Sequence, residues 1–388
     1  MKKLNTRNTP ATLDSLQAEL DQLEARYELR RLGRIEGVNL SSNDFLGLAT
    51  DARLSRAVAA ALEAGSPVGS TGSRLLSGNT AAWEELESAF ARFVGTEAAL
   101  FFGSGYAANL GLLGALLRPD DIVFSDAANH ASLIDGIRLG RARKVIFPHL
   151  DLNCLEDALR KNEGADGRKF VLVESVFSMD GDRAPVQELL SLAERFGAGL
   201  VVDEAHATGV FGPRGRGLVA AANGNARVLA TVHPCGKALA SVGAFVCCSE
   251  TLKRLLVNRA RTFIYSTALP PYFAAQLGKA VEIVAQADAE RRRLLALAGF
   301  LRARLQEAGF DTGGSDSQIV PVLLGGNDTA IHYACELNRR GFAVRPIRPP
   351  TVPEGQSRLR LSVTINLSEE VLDGLVKALV AARPAQHS

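Results

Sequence analysis

From residue 80 onward, hydrophobic positions with helical spacing alternate with short apolar runs. Apolar residues three or four positions apart predict amphipathic helices, and continuous apolar runs bounded by Gly, Asp or Ser predict strands buried on both faces. The predicted helices are 80–94, 106–117, 131–138, 153–161 and 186–196, and the predicted strands are 97–102, 121–125, 144–147, 169–174, the runs that end at Asp203 and at His233, and 243–249. This alternation predicts an α/β domain with a mostly parallel sheet covered by helices on both faces.

The segments before residue 80 have a different pattern. Leucines at positions 13, 16, 20 and 23 predict an amphipathic helix over residues 12–32. A second helix is predicted over 54–64, and the following segment 65–80, half of which is Gly or Ser, predicts a loop. We therefore expect an N-terminal helix and arm over 1–48, followed by a large α/β domain over 49–287.

The last hundred residues predict a smaller α+β domain over 288–388. A helix that starts at Pro271 breaks near Asp288, where the new domain is predicted to begin. Its predicted elements are helix 289–308, strand 318–324, helix 328–340, strands 342–347 and 357–363, and helix 368–382.

The composition indicates an ordinary globular enzyme or binding protein. The 388 residues are 47% hydrophobic, and 44 basic residues nearly balance 42 acidic ones. A net charge this close to zero gives no electrostatic reason to expect nucleic acid or a membrane as the main partner. Five cysteines have neither metal-ligand nor disulfide-scaffold spacing, and the start of the chain has no apolar signal-peptide core. We therefore expect a cytoplasmic protein with reduced thiols.

The stretch 200–237 has the strongest candidate chemistry. One apolar run ends in VVDEAHATG, and the next ends in HPCGK. Because the carboxyl ends of parallel strands meet at one edge of a sheet, we expect Asp203, His206 and Lys237 to lie together. A buried lysine can form a Schiff base with an aldehyde, and a buried carboxylate can keep a pyridine nitrogen protonated. The trio predicts a pyridoxal-phosphate site, whereas Asp203 alone could cap a turn and Lys237 alone could be a solvated lysine.

A predicted anion site lies in FFGSGYAANLG, a strand followed by a Gly-rich turn and a helix start. Gly103 and Gly105 leave the N–H groups of the helix N-terminus open to a phosphate. The alternative is a dinucleotide-binding fingerprint, but Ala108 stands in place of its third glycine.

Other candidate residues have two interpretations each. His130 either caps a helix or stacks on a cofactor ring. Glu174 and Ser178 come at the end of another strand, at the edge of the sheet where ligands bind. Arg74 lies in a loop that either lines a ligand site or is a plain surface connection. Arg360 either grips a carboxylate or lies on the outward face of an edge strand.

Several segments of the chain resemble one enzyme family. In order along the sequence they are SSNDFLGLA, GSTGSRLLSGN, FFGSGYAAN, NHAS, FSMDGDRAP, DEAHATGVFG, GKALAS, YSTALPP and IRPPTVPEGQSRLRL. They resemble the α-oxoamine synthases, pyridoxal-phosphate enzymes of fold type I, the aspartate-aminotransferase-like fold. The resemblance runs from Asn39 to Ser362. It implies pyridoxal 5'-phosphate as cofactor, a large mostly parallel α/β domain and a small C-terminal α+β domain.

The resemblance also implies roles around the cofactor ring. Lys237 would bind the cofactor covalently and later act as the base, while Asp203 would keep the ring nitrogen protonated. His206 would hydrogen-bond the ring hydroxyl, His130 would stack on the ring, and Ser178 would help to hold it.

For the phosphate, the resemblance implies backbone N–H groups of Gly105 and Tyr106. It further implies that Ser266 and Thr267 reach the phosphate of a neighbouring subunit, so that a homodimer with shared active sites is expected.

For the substrates, the resemblance implies that Arg360 holds the amino-acid carboxylate. Asn43, Thr351 and either Arg30 or Arg31 would face the acyl substrate. The segments SMDGDRAP and IRPPTVPEGQSRLRL resemble the branch that condenses L-alanine with a pimeloyl thioester, on coenzyme A or acyl carrier protein, in biotin synthesis.

Two alternatives stay open. One is a related synthase that uses glycine, serine or another acyl thioester, and the other is a non-catalytic partner subunit. Retention of Lys237, Asp203, His206 and His130 argues against the second. Pro234 keeps it open, because it stands where the family usually has a hydroxyl residue that contacts the phosphate, unless Thr231, His233 or a water compensates. Ala240, where this branch commonly has glycine, could also crowd the pocket.

Overall fold

A seven-stranded sheet forms the centre of the structure, a computed structural model that describes residues 11–383. The strands of the chain are β1 (Val38–Asn39), β2 (Ala98–Phe102), β3 (Ile122–Asp126), β4 (Arg143–Phe147), β5 (Lys169–Glu174), β6 (Ala198–Asp203), β7 (Ala230–Pro234), β8 (Ala244–Cys248), β9 (Ile319–Gly325), β10 (Phe342–Ala343), β11 (Pro346–Ile347) and β12 (Ser357–Ser362). The helices are α1 (Ala11–Ala25), α2 (Ala52–Glu63), α3 (Ala81–Val94), α4 (Gly105–Leu116), α5 (Ala131–Gly140), α6 (Leu152–Lys161), α7 (Val186–Arg195), α8 (Leu218–Ala221), α9 (Glu250–Arg259), α10 (Arg261–Ile264), α11 (Tyr272–Val284), α12 (Asp288–Glu307), α13 (Asn327–Arg339) and α14 (Glu369–Ala381).

The central sheet has the strand order β2-β8-β7-β6-β5-β3-β4. Only β8 runs antiparallel to its neighbours, so the prediction of a mostly parallel sheet is confirmed. Alternate residues of each strand point to opposite faces. Leu172 and Val201 pack with α4, α5 and α9 on one face, and Val171 and Val202 pack with α6 and α7 on the other. The continuous apolar runs of the sequence follow from this burial on both faces.

Five neighbouring strands, β3 to β7, end at the same edge of this sheet. Glu174 and Asp203 are register partners at the ends of β5 and β6. His130 follows β3, and Lys237 follows β7. The topology therefore gathers polar side chains that are far apart in the sequence.

The N-terminal arm pairs with the C-terminal part of the chain. Val38–Asn39 (β1) forms a parallel pair with Phe342–Ala343 (β10). Beyond it, Leu40 O accepts from Ser362 N, which ends β12. In the predicted arm 1–48, the first ten residues lie outside the described residues. The predicted limits of the two domains stay a prediction.

Two predicted elements were wrong in extent. The helix predicted over 12–32 ends at Ala25, because Tyr27 adopts a left-handed φ of 57° and Leu23 O accepts from both Glu28 N and Leu29 N, an arrangement that terminates a helix. The single strand predicted over 342–347 is two strands in different sheets. β10 pairs with β1, whereas β11 pairs with β12. Pro346, which has no N–H to donate, starts the second strand.

Between residues 11 and 383, no helix is both long enough and apolar enough to cross a bilayer.

The turn between β7 and β8 carries Lys237 and includes a strained residue. Cys235 N donates to Gly243 O at 2.8 Å, and Ala240 N donates to Lys237 O at 2.8 Å. Ala240 has a φ of 47°, in the left-handed region that costs a residue with a Cβ roughly 1–2 kcal/mol. Its methyl group packs at the edge of the largest hydrophobic cluster. The position of Lys237 is thus set by a turn that glycine would adopt with less strain.

We expect Ala240→Gly to raise the free energy of unfolding by about 1 kcal/mol, because glycine adopts the left-handed backbone without strain. The larger conformational entropy of glycine in the unfolded chain offsets only part of this stabilisation. Ala60→Gly is the matched control, because the same change within helix α2 is expected to lower stability by about 1 kcal/mol. Urea denaturation measures both variants. A loss of stability in Ala240→Gly would show that packing of the methyl group outweighs the strain.

Candidate active site

A cavity of about 410 Å³ lies at the carboxyl edge of the central sheet. Ten predicted site residues line it: Asn43, Gly105, Tyr106, His130, Glu174, Ser178, Asp203, His206, Lys237 and Arg360. The other lining residues are Asn109, Ser132, Met179, Ala205, Pro234 and Ile347. The tertiary structure therefore brings together residues from both ends of the chain.

Asp203 is held in one orientation at the end of β6. Its Oδ2 accepts from Asn109 Nδ2 at 2.7 Å, and its Oδ1 accepts from Ala205 N at 2.9 Å. The side chain is buried. Asn109 was missed in the sequence, although a single amide in the otherwise apolar helix α4 is a signal that it needs a buried polar partner.

Lys237 has an amine that loses its proton more readily than a surface lysine. Burial and, to a smaller extent, the positive charge of Arg360 lower its pKa to about 8, against the opposing effects of Asp203 and Glu174. Near neutral pH a useful fraction of the amine is therefore uncharged and can act as a nucleophile or base.

The two cavity histidines are uncharged near neutral pH. Burial and the charge of Lys237 hold the pKa of His206 well below its usual value. Burial also lowers the pKa of His130, although Asp203 opposes this shift. His130 Nδ1 accepts from Ser132 N at 3.2 Å at the start of α5. His130 therefore caps a helix and lines the cavity at the same time.

Glu174 is a buried acid beside Asp203. Burial and the charge of Asp203 raise its pKa to about 8, although Lys237 opposes this shift. Near neutral pH the carboxyl group is therefore mostly protonated and can donate a hydrogen bond.

Arg360 enters the cavity from β12, the middle strand of the small antiparallel sheet, and not from an edge strand. Its guanidinium donates to Ser178 O, to Asn43 Oδ1 at 3.1 Å and to Ser362 Oγ at 2.7 Å. Burial lowers its pKa to about 10, which leaves it charged at neutral pH. Among the ion pairs of residues 11–383, none involves Arg360. Its charge is therefore available to an anionic ligand.

The cavity fits a flat polar ligand with a phosphate. Among the described residues, three buried atoms of cavity-lining side chains have no hydrogen-bond partner: Asn109 Oδ1, Glu174 Oε1 and His206 Nδ1. The N-terminus of α4 opens at Gly105, where backbone N–H groups and the helix dipole favour an anion. These donors and acceptors match the polar groups of pyridoxal phosphate.

Pro234 lies against this phosphate-binding end. A Cβ on Gly105 would come within 2.8 Å of Pro234 Cγ, so the proline ring requires glycine there. Thr231 and His233 are buried and hydrogen-bond each other at 2.8 Å, and neither lines the cavity. Ala240 also lies outside the lining. Neither Thr231 nor His233 is therefore placed to replace the expected hydroxyl contact.

Three predicted residues lie away from Lys237. Arg74, Ser266 and Thr267 line a separate small cavity. Arg74 pairs at 2.8 Å with the buried Glu87, which also accepts from Phe101 N at 3.0 Å. Arg74 thus ties its loop to the edge of the central sheet. Within one chain, these three residues do not reach the main cavity.

The structure distinguishes Arg30 from Arg31. Arg30 Nη2 donates to Thr351 Oγ1 at 3.3 Å and to Pro349 O at 3.4 Å. Arg31 pairs with Glu24 at 2.8 Å, and 73% of its side chain is exposed. Arg30 and Thr351, both predicted to face the acyl substrate, therefore lie together.

Comparison with known proteins points to one family. The model of the family "aminotransferase class I and II" matches residues 35–379. Similar proteins include 8-amino-7-oxononanoate synthase of Geobacter sulfurreducens, which is 44% identical over 380 residues, covering 94% of this chain and 97% of the relative. The protein of the same name from Anaeromyxobacter dehalogenans is 45% identical over 386 residues, covering 96% of each chain.

Solved structures give the same fold. Serine palmitoyltransferase from S. paucimobilis, with a bound PLP–myriocin aldimine, has a TM-score of 0.87 and 30% identity over 97% of this chain and 98% of its own. The 8-amino-7-oxononanoate synthase of Francisella tularensis has a TM-score of 0.77 and 29% identity over 89% of this chain and 97% of its own.

We expect the Lys237 amine of the ligand-free protein to titrate near pH 8. Asp203→Asn should lower this midpoint, because it removes a negative charge, and Arg360→Gln should raise it, because it removes a positive charge. Competitive acetylation of lysines at a series of pH values, read by mass spectrometry, measures the midpoint. Shifts of the same sign in both variants would contradict the electrostatic account.

Proposed function

The chain belongs to the aminotransferase class I and II family, and we propose that it catalyses the decarboxylative condensation of L-alanine with a pimeloyl thioester. The products are 8-amino-7-oxononanoate, carbon dioxide and the free thiol, and the reaction is a step of biotin synthesis. The resemblance to the α-oxoamine synthases is confirmed by full-length relatives named for this activity and by serine palmitoyltransferase structures. The cofactor is pyridoxal 5'-phosphate.

The observation that carries the proposal is the shared cavity of Lys237, Asp203 and Arg360. It combines an amine with a lowered pKa, an oriented buried carboxylate and an unpaired guanidinium. Pyridoxal phosphate, when bound, supplies an aldehyde carbon and a ring that stabilises negative charge on the α-carbon of the amino acid. The three side chains provide the groups that such chemistry requires from the protein.

Each side chain of the cavity has a separate task. Asp203, fixed by Asn109, keeps a proton on the pyridine nitrogen. Neutral His206 hydrogen-bonds the ring hydroxyl, and neutral His130 stacks on the ring. The N–H groups of Gly105 and Tyr106 bind the phosphate. These contacts would orient the ring so that its reactive carbon faces Lys237.

Lys237 Nζ would hold the cofactor covalently and, once the amino group of L-alanine has displaced it, would accept the α-proton. This base function needs an amine with a pKa near the working pH. Arg360 holds the alanine carboxylate, and Ser178 O and Asn43 Oδ1 fix its guanidinium. The α-carbon then forms a bond to the thioester carbonyl carbon, the thiolate leaves and takes a proton from water, the original alanine carboxyl group departs as carbon dioxide, and the α-carbon regains a proton from the Lys237 ammonium.

The acyl substrate lies beside Arg30 and Thr351. A second cavity of about 670 Å³ opens here and is lined by Arg30, Arg31, Arg345 and Arg348 among others. Arg345 donates to Gly33 O, and Arg348 donates to Tyr27 O. Because main-chain oxygens carry no formal charge, these contacts do not neutralise the two guanidinium groups. Such a surface suits the free carboxylate of a pimeloyl chain.

The active protein is a cytoplasmic homodimer with shared sites. Ser266 and Thr267, which lie away from Lys237 in one chain, reach the phosphate in the neighbouring subunit. Arg74 helps to position Ser266 and Thr267, because a β-bridge between Ser73 and Thr267 joins the loop that carries Arg74 to the segment that carries these two residues.

The central test is product formation by the purified protein with pyridoxal phosphate, L-alanine and pimeloyl-CoA or pimeloyl-acyl carrier protein. We expect 8-amino-7-oxononanoate, carbon dioxide and free thiol in equal amounts, measured by mass spectrometry and a thiol assay. Lys237→Ala should lower the rate at least about 100-fold, because it removes the base. Higher kcat/KM with glycine or serine would favour a related synthase, and cofactor binding without product would favour a non-catalytic subunit.

Arg30→Ala is expected to raise the KM for the pimeloyl thioester about tenfold, because it removes a charged hydrogen-bond donor worth roughly 1.5–3 kcal/mol. Arg31→Ala, on the wall of the same cavity, is the comparison and should raise KM less than Arg30→Ala does, because Glu24 already partly neutralises the Arg31 charge. Steady-state kinetics with saturating L-alanine compares the two variants. A larger effect at Arg31 would reverse the assignment.

A further inference from the structure

His149 lies outside the main cavity, between β4 and α6, with one carboxylate on each ring nitrogen. Its Nδ1 is 2.8 Å from Asp126 Oδ1, and its Nε2 is 2.8 Å from Asp182 Oδ2. Because carboxylates only accept hydrogen bonds, both ring nitrogens donate, and the ring is positively charged. Although burial lowers the pKa of His149, the two carboxylates raise it to about 10. The ring is therefore a charged link between two acids.

The two acids lie on different chain segments, each of which also carries a residue that lines the cavity. Asp126 ends β3, four residues before His130. Asp182 follows Ser178 by four residues, in the turn 178–182, and Asp182 O accepts from Phe177 N at 3.0 Å. The link through His149 therefore joins the segment that carries His130 to the segment that carries Ser178.

The two ends of this link are anchored differently. Asp126 also accepts from Ala128 N at 2.8 Å and from Leu150 N at 2.9 Å. By contrast, Asp182 Oδ1 is buried and has no partner within the described part of the chain. Loss of the His149 ring leaves Asp126 with its backbone contacts but leaves Asp182 as a partly buried carboxylate without a side-chain partner. The turn 178–182 is the end that would move.

Movement of this turn affects Arg360 as well. Arg360 Nε donates to Ser178 O, and Arg358, on the same strand, pairs with Asp180. The turn therefore connects the large sheet with the strand that supplies the guanidinium of the active site. A shift of this turn would therefore also displace a hydrogen-bond acceptor of the Arg360 guanidinium.

We propose that His149 is a positioning residue that holds the turn 178–182 against the carboxyl end of β3. It thereby sets the distance between His130 on one side of the cofactor and Ser178 and Arg360 on the other. The ring also packs edge-on against Phe177, with centroids 4.4 Å apart, which keeps both nitrogens aimed at their carboxylates. The proposal depends on the proposed function, because it takes the ligand of the cavity to be pyridoxal phosphate.

His149→Leu tests the proposal in the full-length protein. We expect the Kd for pyridoxal phosphate, titrated into the cofactor-free protein and followed by absorbance, to rise about tenfold, a loss of about 1.4 kcal/mol. The KM for L-alanine should rise with it, because Arg360 loses the fixed position of Ser178 O. His332→Leu is the matched control, because His332 donates one hydrogen bond to Ala382 O and lies outside the cavity lining. It should change Kd less than about twofold.

Variants at Asp182 separate positioning from stability. Asp182→Asn keeps an oxygen that accepts from His149 and should retain near wild-type affinity for the cofactor, whereas Asp182→Leu should match His149→Leu. If His149→Leu does not fold, His149→Leu/Asp182→Asn removes the unpaired charge, and we expect a folded protein with the same weakened cofactor binding.

Unchanged Kd and KM in folded His149→Leu, or equal losses in Asp182→Asn and Asp182→Leu, would overturn the proposal. The cofactor titration needs no substrate, so it is independent of the proposed reaction. A wild-type protein that binds pyridoxal phosphate but forms no 8-amino-7-oxononanoate, together with weakened binding in His149→Leu, would refute the function and leave the role of His149 standing.

Discussion

The burial of opposite charges in one cavity is the constraint on which this structure depends. The side chains of Asp203, Lys237 and Arg360 are all removed from water: hydrogen-bonding partners fix Asp203 and Arg360, whereas burial lowers the pKa of Lys237. Asn109 and the backbone of residue 205 hold the carboxylate, and the same desolvation lowers the pKa of the lysine amine. The chemistry of the cavity is therefore a consequence of burial, since the same residues at a surface would keep their ordinary protonation.

The phosphate end of the cavity depends on shape. Pro234 lies beside the start of α4, and Gly105 makes room for its ring. The helix N-terminus remains open at this point, so backbone N–H groups provide the anion site without a side chain. The polar framework of the site is therefore compatible with proline at position 234.

Much of the fold follows from local patterns. The strands of the central sheet are apolar on both faces because helices cover both faces, and this pattern is readable without knowledge of the partners. Asp203, His130 and Ser178 were identifiable because they stand at or just after strand ends, where parallel sheets bind ligands. Lys237 was identifiable from the same position together with its family motif. Helix α9 was missed even though Ser249, its capping residue, is a local signal.

The sequence by itself determined the parallel sheet, the residues at its carboxyl edge and the chemistry that they can perform, because these depend on residue type and on spacing along the chain. Only the tertiary structure decided that Arg30 and not Arg31 lies beside Thr351, that Arg74 pairs with Glu87, and that His149 links two acids. These contacts join segments that are distant in sequence. The residues around each side chain do not indicate which distant side chain it will contact. Packing of the sheet and helices selects one partner, because the alternatives would leave buried charges or hydrogen-bonding groups unpaired.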